Sequence, residues 1–252
     1  MKKIFLNAGH GGVDSGAVGI NGLLEKDVNI KTVLYLREFL VNNGVQVFVA
    51  SEDLNDESQS SSDVLAYANL YDFDYVIDIH YNSFFNDDAH GFECFIGKSN
   101  LALDLAKNIE KEIINIGLVS RGIKKKINNY GYDYYYFIRE TNCPAIILEG
   151  CFVTSKEDYH KFLSSDEKIK SIAIAYGKGI LKTLGIVENN SEFKRYLCRV
   201  KRNITIYDKN KNEVGICPKG TYTIVGEEDN LCELKSGVGY LLKNEIEFYK
   251  YL

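Results

Sequence analysis

The sequence contains no long apolar run, and none approaches the roughly 20 residues that a membrane-spanning helix needs. After Lys2 and Lys3 the first apolar run has only five residues, whereas the apolar core of a secretion signal has about 7–15. We therefore expect no stable insertion into a membrane. We also expect synthesis in the cytoplasm without a signal peptide.

Paired cysteines, tryptophan and an excess of basic residues are also missing. The six cysteines include no Cys-x-x-Cys pair, so we expect reduced and partly buried thiols. A net charge of −5 gives no reason to expect binding to nucleic acid. With 45% hydrophobic and 26% charged residues, the composition matches that of an ordinary globular protein.

The first thirty residues carry the most distinctive pattern in the chain. The apolar run 4–8 predicts a buried strand that ends in glycines, and His10 follows directly. Because glycine has no Cβ, the chain can fold back sharply there and leave room for a ligand. Glu25 precedes an apolar-periodic run that predicts a helix from about Asp27 to Asn42. Its carboxylate is therefore expected near the first turn, where the helix dipole favours negative charge.

Predicted strands and helices alternate along the chain as far as Gly185, which is expected to end the last helix. Strands are predicted at 45–49, 75–79, 91–96 and 145–150, and further helices at 101–116 and 166–184. Another helix, capped by Ser62 or Asp63, is expected after a polar loop that begins at Ser51. This alternation predicts an α/β sandwich, in which a mixed sheet is flanked by helices and functional residues lie at strand ends.

The last part of the chain has a different period. Beyond a polar stretch, residues 195–252 alternate with a period of two in short runs separated by turn signals, which is typical of a small all-β barrel. The predicted organisation is a domain at 1–187, a linker at 188–194 and a second domain at 195–252.

Four residues are candidates for a catalytic metal site: His10, Glu25, His80 and Glu149. Each is expected at the exposed end of an apolar strand or at the start of a helix. Two histidines and a carboxylate suit Zn²⁺, which keeps an open position for water at catalytic sites. A further glutamate beside that water can take its proton and pass it to a leaving amine, and Glu149 is suited to this role.

The same residues allow other interpretations. A single histidine at a strand end is more often a hydrogen-bonded surface or core residue than a ligand. The glycines around His10 lack the third glycine of a dinucleotide fingerprint, and no Gly-Lys-Ser/Thr follows them. Cys151 as a nucleophile with His80 as its partner has no local sequence signature in support. The aromatic stretch 130–136 is either a loop packed on the sheet or a wall that lines a substrate site.

Four sequence blocks in this order resemble the zinc-dependent N-acetylmuramoyl-L-alanine amidases of the Amidase_3 family. The blocks are Asn-Ala-Gly-His-Gly-Gly-Val-Asp-Ser-Gly-Ala at 7–17, Glu-Lys-Asp at 25–27, Asp-Ile-His-Tyr-Asn-Ser at 78–83 and Pro-Ala-Ile-Ile-Leu-Glu-Gly-Cys-Phe at 144–152. The resemblance implies that His10, Glu25 and His80 bind one zinc ion and that Glu149 is the catalytic acid and base. Asn82 and Arg139, which lie within or shortly before these blocks, are predicted substrate contacts.

Residues 195–252 resemble a bacterial SH3-like domain, mainly through Gly-Val-Gly-Tyr-Leu-Leu at 237–242 and the rhythm of the strands. The tryptophan usual before the fourth strand of such domains is absent, with Leu231 near its place. The resemblance implies binding to peptidoglycan. The alternative is a barrel that only stabilises the enzyme.

The resemblance implies a peptidoglycan hydrolase that cuts the amide between the lactyl group of N-acetylmuramic acid and L-alanine. Without a signal peptide, such an enzyme is expected to reach the cell wall after the membrane is permeabilised, as phage or prophage endolysins do. The alternatives are a host autolysin or mother-cell lysis amidase, a non-catalytic wall-binding module, and a zinc peptidase that cuts within the stem peptide. The Lys-, Ile-, Asn- and Tyr-rich composition suits a Gram-positive lineage.

Overall fold

The computed structural model describes residues 2–50, 60–86, 88–189, 196–228 and 230–251. The chain forms two compact units, Met1–Glu188 and Asn189–Leu252. Most of the polar loop predicted from Ser51 and most of the linker predicted at 188–194 lie outside the described residues.

The first unit is built on a six-stranded mixed sheet. Its strands are β1 (Lys3–Ala8), β2 (Gln46–Val49), β3 (Tyr75–Asn82), β4 (Phe92–Ile96), β5 (Ser120–Lys124) and β6 (Ala145–Phe152). They lie in the order β2-β1-β3-β6-β4-β5, and every neighbouring pair is parallel except β6 and β4. The mixed sheet and the flanking helices agree with the predicted α/β class.

Helices cover both faces of this sheet. They are α1 (Glu25–Asn42), α2 (Ser61–Ala68), α3 (Leu103–Asn115), α4 (Tyr136–Glu140), α5 (Lys156–Asp158, continued by a π turn at Tyr159–Leu163) and α6 (Asp166–Leu184). On one face α1, α3 and α6 enclose the larger apolar core, and on the other face α2 and α4 pack over a smaller one. No helix in the described part of the chain combines the length and apolar character required to cross a membrane.

Two local predictions for this unit were wrong, and one strand was missed. Ser60, not Ser62 or Asp63, caps α2, because its side chain accepts a hydrogen bond from the backbone of Asp63. β3 continues through His80 to Asn82, so that His80 lies within the strand and not after it. β5 was not predicted, because Ser-Arg-Gly-Ile-Lys carries neither a period of two nor an apolar run.

The second unit consists of antiparallel strands with a separate apolar core. The strands are β7 (Tyr196–Val200), β8 (Ile204–Tyr207), β9 (Glu213–Cys217), β10 (Gly220–Glu228), β11 (Leu231–Leu234), β12 (Tyr240–Leu242) and β13 (Glu247–Tyr251). They form one sheet in the order β13-β7-β10-β11-β12-β8-β9. The all-β character of this region is therefore as predicted, and β13 is an additional strand.

Helices α3 and α6 approach each other closely at Gly179. A Cβ added there would lie 2.6 Å from the Cα of Ile109, and backbone cannot move away cheaply. At Gly177 an added Cβ would instead meet the ring of Phe39, a partly buried side chain.

We predict that Gly179→Ala lowers the free energy of unfolding of the first unit by about 1–3 kcal/mol, because overpacking outweighs the gain of roughly 1 kcal/mol in helix propensity. Gly177→Ala is the matched control and is expected to be less costly, since a side chain can adjust. Urea unfolding measures both values. Equal stability of the two variants would show that the helices are not packed this tightly at Gly179.

Candidate metal centre

His10 lies on a glycine loop that leaves the end of β1. Its backbone adopts φ 65°, a left-handed conformation that costs a residue with a Cβ about 1–3 kcal/mol. Paired hydrogen bonds between the backbones of Gly11 and Asp14 close the loop. Asp14 Oδ2 lies 2.9 Å from His10 Nδ1, which leaves His10 Nε2 directed at Glu25 at 3.2 Å. In this conformation one imidazole nitrogen of His10 is directed into the site.

Glu25 is the first residue of α1, and its carboxylate contacts several hydrogen-bond donors. Oε1 lies 3.0 Å from Nδ1 of His80 and accepts a hydrogen bond from the backbone of Tyr81, while Oε2 accepts one from the backbone of Ala17. Burial raises the pKa of Glu25, but the hydrogen bonds from His10, His80 and Ala17 outweigh it and hold the pKa well below its ordinary value. Glu25 is therefore ionised.

His80 is held from two sides in β3. Its Nδ1 faces Glu25, and its Nε2 lies 3.4 Å from Oδ2 of Asp78, two residues earlier on the same face of the strand. Burial lowers the pKa of His80, but the carboxylates of Asp78 and Glu25 outweigh it and raise the pKa well above its ordinary value. Asp78 is itself fixed by Asn7 of β1, whose side chain donates to its other oxygen at 2.7 Å.

Two glycines leave the space that these side chains occupy. A Cβ at Gly9 would lie 2.1 Å from the ring of His80. A Cβ at Gly16 would lie 2.7 Å from both Glu25 Oε2 and the ring of His10. Larger residues at either position would displace a candidate ligand, so Gly9 and Gly16 are explained by close approach of side chains.

The three side chains form a donor set that fits zinc. One possible ligand atom from each of His10, Glu25 and His80 lies within 4.8 Å of the others, and no other such group occurs in the part of the chain that the structure describes. Two imidazoles and one carboxylate at distances of about 2.0–2.2 Å are the ligands that Zn²⁺ takes at catalytic sites. The contacts of Asp14 and Asp78 with the two imidazoles are of the kind that orient metal ligands.

Glu149 lies next to this group in the middle of the sheet. It is on β6, paired in register with His80 on β3 and with Glu93 on β4. Burial raises the pKa of Glu149 to about 7, with opposition from His80 and a contribution from Glu25. A carboxyl group with this pKa can both accept and donate a proton near neutral pH.

Asn82 does not contact the candidate ligands but belongs to a second polar group. Its side chain donates to Glu93 Oε1 at 3.0 Å and accepts a hydrogen bond from the backbone of Ser83. Glu93 is 6% exposed, and its other oxygen, Oε2, accepts hydrogen bonds from Arg121 and Lys124 of β5. The proposed contact of Asn82 with substrate stays a prediction.

Arg139 of α4 holds the aromatic loop together. Its guanidinium donates to the backbone carbonyls of Asp133 and Tyr134, and Nε donates to Glu140. Residues 130–135 form this loop, in which Tyr130 is 86% exposed, and Tyr136 is the first residue of α4. Tyr135 packs against Phe95, with ring centroids 4.8 Å apart, and burial and then the charges of Glu149 and Glu93 raise its pKa to about 12. Contact of Arg139 with substrate also stays a prediction.

Sequence reasoning missed the residues that support the candidate ligands. Asp14 and Asp78 were within the quoted blocks, and the period of two in β3 was the signal that sets Asp78 on the same face as His80. Glu93, Arg121 and Lys124 carried no local signal, because their contacts arise only when β4 and β5 pair beside β6.

Comparison with known proteins gives the same family from sequence and from structure. Residues 4–182 match the sequence profile of Amidase_3, described as N-acetylmuramoyl-L-alanine amidase. The chain is 32% identical over 191 residues to N-acetylmuramoyl-L-alanine amidase CwlM of Bacillus licheniformis, an alignment that covers 75% of this chain and 71% of that protein. It is 28% identical over 192 residues to the endolysin of Bacillus phage SPP1, covering 73% of this chain and 67% of the endolysin.

Among solved structures, the catalytic domain of CwlV, an N-acetylmuramoyl-L-alanine amidase from Bacillus (Paenibacillus) polymyxa var. colistinus, is similar with a TM-score of 0.66 and 26% identity. The match covers 74% of this chain and 100% of the CwlV domain.

We predict that Gly9→Ala weakens zinc binding about 10- to 100-fold, because the new methyl group displaces the imidazole of His80. Competition with a chromogenic chelator measures the affinity. Gly215→Ala is the control, since a Cβ there meets nothing closer than 3.8 Å. Unchanged affinity of Gly9→Ala would exclude His80, in this orientation, as a ligand.

Proposed function

Because the chain belongs to the Amidase_3 family of N-acetylmuramoyl-L-alanine amidases, we propose that its first unit is a zinc-dependent amidase with its site at His10, Glu25, His80 and Glu149. The observation that carries this proposal is the convergence of three ligand atoms within 4.8 Å beside Glu149, which β6 presents next to His80. The bond cut is the amide between the lactyl group of N-acetylmuramic acid and L-alanine.

The four residues divide into ligands and a proton carrier. His10, Glu25 and His80 would hold the ion. Bound zinc supplies a Lewis acid and water that ionises near neutral pH. Glu149, whose pKa is raised by burial, would accept the proton of the attacking water and donate it to the departing amine of L-alanine.

For the biological role we propose an endolysin-like enzyme that acts on the cell wall. The similarity to the endolysin of phage SPP1 supports this role. A host autolysin or mother-cell lysis amidase is the second candidate, and the similarity at 31% identity to a sporulation-specific amidase of Bacillus subtilis favours it. We further propose that the second unit is SH3-like and binds peptidoglycan, since it is an all-β unit with its own core.

Digestion of purified peptidoglycan, with mass spectrometry of the released ends, tests the reaction. We predict stem peptides with free L-alanine amino termini, intact glycan strands, and loss of both release and lysis when a zinc chelator is present. Cleavage inside the stem peptide would instead identify a zinc peptidase. Binding to walls without any cleavage would identify a non-catalytic wall-binding module.

In the same assay Glu149→Gln is expected to lose about 10²- to 10⁴-fold in turnover, because the amide cannot carry the proton. Its affinity for zinc, measured by competition with a chelator, is expected to equal that of the unaltered chain. The matched control is Glu157→Gln, which changes an exposed glutamate paired with Lys161 and should leave turnover unchanged. A fully lytic Glu149→Gln chain would contradict the proposed mechanism.

Removal of residues 189–252 tests the role of the second unit. The remaining chain 1–188 is expected to cut a soluble muramoyl peptide at the rate of the full chain but to cut insoluble walls more slowly, because it lacks the wall-binding unit. The soluble substrate serves as the control for folding. If chain 1–188 and the full chain cut insoluble walls at equal rates, the role of the second unit is only to stabilise the enzyme.

A further inference from the structure

Two cations lie at the β5 edge of the site, and the proposed chemistry does not use them. Arg121 Nε donates to Glu93 Oε2 at 2.8 Å, and Lys124 Nζ donates to the same oxygen at 2.5 Å. Glu93 offers one negative charge to two positive ones, so the group keeps one positive charge in excess. Both cationic side chains remain 37% exposed, whereas the carboxylate between them is buried. Solvent, and therefore a ligand, reaches the cations and not Glu93.

The position of this pair relative to Glu149 follows from strand register. Glu93 lies directly opposite Glu149 in the antiparallel pair of β4 and β6. Side chains opposite each other in such a pair emerge on the same face, with Cβ atoms about 4.5–5.5 Å apart. On the other side of β6, Glu149 is in register with His80. His80, Glu149 and Glu93, which binds the two cations, therefore form one row across the sheet.

The row sets the direction in which a substrate lies. Glu149 protonates the leaving amine, so the acyl side of the cut bond belongs over the histidines and the peptide side continues past β6 toward β4 and β5. Neighbouring strands are about 4.8 Å apart, and an extended peptide advances about 3.4 Å per residue. Because Arg121 and Lys124 reach back to Glu93 on β4, their charged ends lie within about two residues of the cut bond.

We propose that Arg121 and Lys124 bind a free carboxylate on the peptide, one or two residues beyond the cut bond, and thereby select acidic stem peptides over amidated ones. Arg121 is well placed for this, since its guanidinium lies 4.9 Å from the ring centre of Phe152, which restricts its orientation. A planar guanidinium and an ammonium together offer a carboxylate several charge-assisted hydrogen bonds. The inference rests on the proposed function, because Glu149 defines the direction of the substrate.

Kinetics on two synthetic muramoyl peptides test the selection. They are identical except that the second residue carries a free α-carboxylate in one and a carboxamide in the other. The unaltered chain is expected to have a kcat/KM about tenfold higher on the acid, and Lys124→Met or Arg121→Gln should remove most of this preference by raising KM on the acid alone. Lys124→Arg should restore it.

Lys125→Met is the matched control, because it removes the same charge one residue further along the chain, outside the contacts with Glu93. It should leave the preference for the acid unchanged. If Lys124→Met and Arg121→Gln lower kcat/KM equally on both substrates, the two cations serve only to neutralise Glu93, and the inference is overturned while the amidase assignment stands.

Binding of the released peptides gives a readout that does not depend on turnover. Calorimetric titration of the Glu149→Gln chain with the acidic and the amidated peptide should show the same preference of about tenfold, lost in the additional variant Lys124→Met. Equal affinity for the two peptides overturns the inference. Failure to cut either substrate between the muramoyl group and L-alanine would instead overturn the proposed function, so the two failures are distinguishable.

Discussion

The site depends on one buried carboxylate, that of Glu25. Its oxygens lie within 3.2 Å of a nitrogen of His10, a nitrogen of His80 and two backbone amides, so that a single group joins the first turn of α1 to the ends of β1 and β3. No side chain caps this end of α1, and Leu24 occupies the capping position. The helix start is therefore stabilised by negative charge and tertiary contacts while its carboxylate remains directed into the site.

The mixed sheet places further polar residues beside this contact. Because β3 and β6 are parallel and in register, His80 and Glu149 emerge side by side. Because β4 is antiparallel to β6, its Glu93 enters the same row from the opposite chain direction. A sheet of parallel strands alone would bring together only residues at carboxyl ends, and the reversal at β4 adds a residue from near the start of a strand. The row is a consequence of topology.

The sequence was sufficient to predict the α/β class, the strands of the first unit apart from β5, and the all-β second region. It also indicated that His10, Glu25 and His80 converge. Glu149 lies beside them. These rest on local patterns: apolar runs that end in His10 or Glu149, and the periodic run that follows Glu25. Sequence alone could not predict β5 or the contacts of Glu93 with Arg121 and Lys124, because strand pairing, not residue type, creates them. Nor could it show that Asn82 and Arg139 each bind other protein groups, one a carboxylate and the other carbonyl oxygens.

Two neighbouring glutamates of the site have opposite pKa shifts, because the imidazoles are directed at one of them. Both histidines face Glu25, whose pKa is held below its ordinary value although burial opposes this. Glu149 lies in the same row but has Glu93 as its cross-strand neighbour, and burial raises its pKa to about 7. Environments that shift the pKa values of two carboxyl groups in opposite directions also give the two groups different roles. The ionised glutamate is suited to hold a cation, and the neighbouring one to exchange a proton, so the division of labour follows from which carboxylate receives the hydrogen bonds.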